Sequence, residues 1–282
     1  MRVGVTGGSG KLGRACIHEL LENDYEVINF DNTVPKDLAC PTVRLELTDY
    51  GQVVDALSGT EDRYSSLDAV VHLAAIPAPG LQSNVATFHN NIACTYNVFN
   101  AARTVGIKNL VWASSETLLG LPFDVAPPYI PVDEKCTRPE STYSMVKGLE
   151  EEMARQFCRW DPSLKMLGLR FSNVLDKGDY AHFSDFQDDP LKRKWNLWGY
   201  IDSRDGAQAV RRALELKSTG TDIFIIASPD TVMNTPNAEL LAAVFPDVPL
   251  AHPVEPHETL LSIEKAKRVL GYTPQYSWRN EI

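Results

Sequence analysis

Thr6-Gly7-Gly8-Ser9-Gly10-Lys11-Leu12-Gly13 follows the apolar run of residues 2–6 and leads into the helical spacing of Arg14 to Leu21. Its glycines at 7, 10 and 13 read G-x-x-G-x-x-G between a strand and a helix. Gly7 permits the tight turn, Gly10 lets the backbone approach a diphosphate, and Gly13 lets helix and strand pack closely. The free N–H groups of the helix N-terminus then face that anion. A dinucleotide is therefore expected here, touching Gly7, Ser9, Gly10, Lys11, Leu12 and Gly13. Asp31 closes the second strand 18 residues beyond Gly13 and precedes Asn32. A carboxylate there accepts from ribose hydroxyls and repels a 2'-phosphate, which favours NAD over NADP. We prefer this to a plain turn residue, noting that Lys11 and Arg14 could soften the preference.

Working outward, short runs rich in Val, Ile and Leu recur at residues 2–6, 25–30, 42–47, 68–73, 108–113 and 164–171, with helical spacing between them. Strands that are apolar throughout and alternate with helices predict a parallel sheet covered on both faces. The fold class is therefore α/β, a doubly wound parallel Rossmann sheet with a small C-terminal substrate-binding lobe. The nucleotide domain is expected over 1–173 and 200–228, and the lobe over 174–199 and 229–282. Pro122, Pro127, Pro128, Pro131 and Pro139 forbid a long helix across 117–140, which should be an ordered loop or flap over the site. Residues 174–199 form a second irregular stretch, carrying His182, Phe183, Phe186, Trp195 and Trp198. A helix from about Ser203 to Leu216, a strand at 222–227 and a helix from Ile263 to Leu270, ended by Gly271, complete the pattern.

The chain has 282 residues, 44% of them hydrophobic, and a formal charge of -10. That balance and the lack of a basic run argue against nucleic-acid binding. No apolar stretch reaches membrane-spanning length. Five cysteines, at 16, 40, 94, 136 and 158, show no C-x-x-C and are odd in number. They fit a reducing, cytoplasmic setting better than a disulfide framework. The N-terminus enters a strand pattern at once, leaving no room for a signal peptide. The six histidines show no metal-like spacing, so no metal is expected.

Tyr143 and Lys147 stand four residues apart in Tyr-Ser-Met-Val-Lys, which places both on one helix face. A free tyrosine ionises near pH ~10. A neighbouring ammonium favours the phenolate and should bring it toward neutrality, where it can serve as acid and base. Ser115, at the end of the fifth apolar run, can hydrogen-bond the same substrate oxygen.

These residues together resemble the extended short-chain dehydrogenase/reductases, of the NAD-dependent epimerase/dehydratase type, almost end to end. Carrying the likeness are His72-Leu73-Ala74-Ala75, Asn91, Ser114-Ser115, Arg170-Phe171-Ser172-Asn173-Val174, Tyr200-Ile201-Asp202 and Arg268-Val269-Leu270-Gly271-Tyr272-Thr273-Pro274. The resemblance implies a Ser115, Tyr143 and Lys147 catalytic set and NAD as cofactor. It implies cofactor contacts from Leu73, Ala74, Ala75, Tyr143 and Lys147, and from Glu46 and Leu47 near adenine, where the family usually has Asp for Glu46. Asn91 is assigned to the cofactor side, with a core-polar role as the other reading, and His72 is read as structural. Family dehydratases carry Asp-Glu after the serine or threonine; here Glu116 and Thr117 stand there, which disfavours dehydration. The family resemblance also implies a homodimer through helices 82–105 and 142–159.

Only 26 residues lie between Asn173 and Tyr200. Such a span leaves little surface for a nucleotide handle and favours a small sugar, sugar acid or polyol, by analogy with uronate dehydrogenase. Ser115, Glu116, Thr117, Asn173, His182 and Arg204 are the substrate candidates, the last two for a carboxylate or hydroxyls, with loop surface for His182 and a helix-start ion pair with Asp202 or Asp205 for Arg204 as equal readings. A nucleotide-sugar 4-epimerase with transient oxidation by bound NAD is the alternative, and a non-catalytic dinucleotide sensor a second.

Overall fold

The computed structural model describes residues 1–59, 64 and 66–281. Ile282, the last residue of the expected lobe, lies outside them. Seven parallel strands form one sheet: β1 (Arg2–Thr6), β2 (Glu26–Asp31), β3 (Thr42–Arg44), β4 (Ala69–His72), β5 (Asn109–Ser115), β6 (Lys165–Phe171) and β9 (Gly220–Ile226). Their spatial order is β3-β2-β1-β4-β5-β6-β9. The chain winds outward from β1 on one side and from β4 on the other, so the loops after β1 and β4 part and open a crevice at the carboxyl edge. Register brings Thr6 beside His72 and Ser115 beside Phe171 along that edge.

Helices cover both faces. They are α1 (Lys11–Glu22), α2 (Tyr50–Ser58), α3 (Asn84–Val105), α4 (Thr142–Trp160), α5 (Ser203–Glu215), α6 (Asn237–Val244) and α7 (Glu264–Leu270). Central strands such as β4 and β6 are buried along their whole length, as a sheet sandwiched between helices requires. One core holds Val3, Val5, Val71 and Leu169, and the other holds Phe30, Phe99, Trp112 and Phe157. Each such large apolar side chain, once buried, contributes about 1.5–3 kcal/mol.

Two expectations change in detail. The third strand ends at Arg44 rather than residue 47, because the Glu46 carboxylate turns back onto Thr48 N and Oγ1 and Asp49 caps α2. The proline-rich stretch is ordered and anchored in the protein at several points: Leu118, Phe123, Ile130 and Val132 are buried, and Ile130 N and Val132 N donate to Pro249 O and Leu260 O. It ties the sheet to residues 249–261. Residues 174–199 fold into two 3-10 segments, Lys177–Phe186 and Pro190–Asn196, behind the short pair β7 (Val174–Leu175) and β8 (Ile201–Asp202). Tyr180, Phe183 and Trp198 from this stretch join the same core as Val3 and Leu169. Helix α7 ends as expected, with Gly271 at φ 69°.

Candidate active site

The glycine turn is built against its neighbours. A Cβ on Gly7, whose φ is +74°, would lie 2.6 Å from Ala74 N, and one on Gly13 would lie 2.2 Å from Gly7 O. Loop 73–75 thus rests directly on the turn, and α1 on its backbone. At Gly10 a Cβ would meet only Gly7 O at 3.4 Å, so that side stays open. No side chain caps α1, and its first backbone bond runs from Arg14 N to Gly10 O. The amides of Lys11, Leu12 and Gly13 precede that bond and remain available to a diphosphate. Asn29, which sequence reading passed over, holds the turn by accepting from Gly8 N at 3.0 Å.

Asp31 lies at the carboxyl end of β2, accepting from Ser9 N at 3.0 Å and Thr33 N at 3.1 Å. Each oxygen keeps a lone pair for a ribose hydroxyl. The two cations that might have welcomed a 2'-phosphate are engaged: Lys11 pairs with Asp179, and Arg14 forks onto Asp37 at 2.9 and 3.1 Å. The residues present therefore fit NAD. Asp31→Ser is expected to weaken NAD about tenfold while raising affinity for NADP, checked by fluorescence titration with each nucleotide. Asn91 is fully buried and grips Ile76 at both N and O, at 2.8 and 3.0 Å, which makes it a latch on loop 73–76 rather than a free ligand. Leu47 is buried, its carbonyl accepting from Asn97, while Glu46 stays exposed.

Ser115 ends β5, and α4 delivers Tyr143 and Lys147 beside it, with the ammonium 5.9 Å from the phenol ring centre. The Ser141/Ser144 capping box fixes the start of α4 just before the tyrosine. Thr117 donates to Ser115 Oγ from N and Oγ1, which leaves the serine proton free to point at a substrate oxygen or the phenol. Lys147 Nζ donates to Ala113 O at 2.8 Å and Glu150 Oε2 at 2.9 Å, keeping one N–H for a ribose hydroxyl. Here one expectation fails. Burial pushes the Tyr143 phenol above its ordinary value; Lys147 and Ser115 act to lower it, but Glu150 and Glu116 oppose them. His72, bonded between Thr6 Oγ1 and Thr95 Oγ1, is structural, and burial drives it down to about 3, so it is neutral.

On the substrate side, Glu116 points inward. Its oxygens accept from Ser172 Oγ at 2.6 Å and Asn196 Nδ2 at 3.3 Å, and burial raises its carboxyl to about 7. Arg193 acts electrostatically on Glu116 and donates to Asn173 Oδ1 at 3.3 Å and Gly199 O at 2.9 Å. Its guanidinium lies over Trp195 and Phe186, and its buried Nε has no partner. Two sequence candidates do not join this group. The His182 side chain is 78% exposed and faces Asp185 at 3.5 Å on the outer side of its 3-10 segment. Arg204 is drawn onto Asp202 and Glu281 and stacks on Tyr276, because it lies in the first turn of α5, two residues after a buried carboxylate. Arg193 and Asn196 were missed; the aromatic residues around Arg193 were the available signal.

A parallel sheet with a glycine-rich turn after β1 and a Ser-Tyr-Lys group at β5 and α4 defines a dinucleotide-binding protein of the extended short-chain dehydrogenase/reductase type. The chain belongs to the NAD dependent epimerase/dehydratase family, whose model matches residues 3–227. It is 32% identical over 221 residues to UDP-glucose 4-epimerase of Mus musculus, covering 71% of this chain and 60% of that protein. It is 26% identical over 286 residues to L-arabinose 1-dehydrogenase (NAD(P)(+)) of Haloferax volcanii, covering 97% and 96%. Among solved structures, UDP-glucose 4-epimerase from Bifidobacterium longum in complex with NAD+ and UDP shares the fold with a TM-score of 0.75, at 19% identity over 100% of this chain and 96% of that one. Among the described residues no helix is long and apolar enough to cross a membrane.

Proposed function

We propose that this protein is an NAD-dependent oxidoreductase acting on a hydroxyl carbon of a small sugar or sugar acid, in a cytoplasmic setting. The observation that carries the reading is the convergence of Ser115, Tyr143 and Lys147 beside the glycine turn, at the carboxyl edge where β1 and β4 diverge. Bound NAD supplies the hydride acceptor. Tyr143 takes the proton from the substrate hydroxyl, Ser115 holds that oxygen, and Lys147 orders the ribose. Reversal reduces a ketone.

Arg193 favours an anionic substrate. Its guanidinium pairs with no carboxylate among the described residues, and its neighbour Glu116 is held toward its neutral form. A substrate carboxylate would find here a fork of donors already backed by aromatic rings. The end-to-end likeness to a sugar dehydrogenase supports this over nucleotide-sugar epimerisation. Segment 174–199 also spends Tyr180, Phe183 and Trp198 on the core rather than on a nucleotide. A homodimer through α3 and α4 agrees with the exposed Tyr96, Met145 and Leu149 on those helices.

The experiment is NADH formation by purified protein with NAD and a panel of uronates, neutral sugars and polyols. Turnover of uronates supports the full reading, and turnover of neutral sugars alone removes its acid-specific part. Protein that binds NAD but forms no NADH would instead favour an epimerase with internal hydride return. Arg193→Met is expected to raise KM for a uronate about 10- to 100-fold, as loss of a charged hydrogen bond does. The ratio of uronate to neutral-sugar kcat/KM should fall with it.

A further inference from the structure

Glu150 lies one helical turn beyond Lys147, outside the Ser-Tyr-Lys group, and no solvent reaches it. Its Oε2 sits 2.9 Å from Lys147 Nζ; its Oε1 makes no well-formed hydrogen bond, and beyond the lysine only the Thr95 hydroxyl favours the charge. A carboxylate withdrawn from water and only half satisfied is costly to keep. Hydrogen bonding alone does not require it, since Lys147 already has Ala113 O as an acceptor; its part is that of counter-charge to the buried ammonium, whereas the next carboxylate, Glu151, holds Arg170 at 2.8 Å. What Glu150 does alter is charge. An isolated ammonium beside the phenol favours the phenolate, whereas an ammonium closely paired with a carboxylate presents a dipole, whose field falls off faster with distance.

The groups facing this pair leave Glu150 as its counter-charge. From α4 come Tyr143 and Glu151, the latter already neutralised by Arg170 of β6. Ser115 and Glu116 approach from the end of β5, and His72, which is neutral, from β4. Cys94 and Thr95 face it from α3, the Thr95 hydroxyl favouring the ionised Glu150. Desolvation acts to lower Lys147, but the attractions of Glu150, Tyr143 and Glu151 outweigh it, so the lysine keeps its proton through the neutral range.

We propose that Glu150 is a positioning residue that offsets the Lys147 charge and thereby sets the pH at which Tyr143 exchanges its proton. The proposal rests on the reading of Tyr143 as proton carrier. It implies that the acid limb of oxidation lies at higher pH than it would without Glu150. Removing the negative charge favours the phenolate, so the Tyr143 midpoint and the acid limb of the oxidation profile should both move to lower pH.

The test follows phenolate absorbance against pH in the wild type and in Glu150→Gln. Each is corrected by its Tyr143→Phe counterpart so that only Tyr143 is read. The expected result is a midpoint about one pH unit or more lower in Glu150→Gln, with the acid limb of kcat/KM moving alike. Glu150→Asp, which keeps the charge on a shorter arm, should return the midpoint toward wild type. Coincident midpoints in wild type and Glu150→Gln would overturn the proposal. So would equal displacement by Gln and Asp, which marks packing rather than charge, and so would a phenol that ionises in neither protein while the fold persists. The absorbance titration needs no turnover. Should no sugar be oxidised by any variant, the functional reading fails while the role of Glu150 is still decided.

Discussion

Tyr143→Phe is expected to lower kcat/KM by about 10³-fold or more, with NAD affinity close to that of the wild type. The ring is 94% buried by its surroundings, being only 6% exposed, and phenylalanine fills the same volume. Packing and the approach of Lys147 are therefore retained, and only the group that exchanges a proton with the substrate oxygen is lost. Removing a positioned acid/base group costs about 10²–10⁴-fold, and no other described side chain stands ready to replace this one. Ser115 offers only an alcohol, a poor acid and base near neutrality, and Glu116 is committed to Ser172 and Asn196. NADH formation with the best substrate of the panel, beside a nucleotide-binding titration, reads the two effects separately. A variant within tenfold of wild type would remove Tyr143 from the chemistry.

Arg170→Met should cost about 3–5 kcal/mol of stability, the loss expected when one partner of a buried ion pair is removed. Arg170 forks onto Glu151 with Nε and Nη2, both at 2.8 Å, and both side chains are at most 4% exposed. Its Nη1 also holds Glu134 O and Cys136 O, so the guanidinium fastens β6, α4 and the proline-rich stretch together. Methionine fills much of the space but leaves Glu151 buried with only Ser114 Oγ for company. Equilibrium denaturation should show the loss, and Glu151→Gln added to Arg170→Met should recover part of it because the two sites are coupled. A change below about 1 kcal/mol would mean that the pair is replaceable by packing alone, as some buried pairs are.

Much of the architecture could be read before any contact was known. The turn Thr6–Gly13 is local chemistry: a positive φ at Gly7, an open side at Gly10 and a helix start without a cap follow from residues a few positions apart. The apolar runs of β1, β2, β4, β5 and β6 are buried on both faces, and that requires only that helices alternate with them. The four-residue spacing of Tyr143 and Lys147 is a helix property, and α4 delivers it. The short β3, where side-chain bonds of Glu46 and Asp49 compete with the ladder, was not legible from hydrophobicity. Nor was helix α6, which received no sequence assignment.

The surroundings of the candidate substrate residues were set by partners far away in the chain. His182 and Arg193 both lie in one irregular aromatic stretch, and composition does not say which faces inward. The 3-10 segments turn His182 to solvent and bring Asn196 to Glu116, 80 residues distant. Arg204 could be read either as a substrate ligand or as a helix-start ion pair, and the buried Asp202, with Glu281 77 residues on, makes it the latter. Glu150 could be seen three residues from Lys147, but its complete burial, which turns an ordinary helix pair into a control on Tyr143, comes only from α3 and the sheet closing over it. Sequence by itself determined what short-range sterics and periodicity impose: the sheet, the nucleotide turn and the catalytic spacing. Tertiary structure alone decided which charges are desolvated and with whom they pair, because burial and long-range partners set the energy of a charge and neither is a property of its neighbours in sequence.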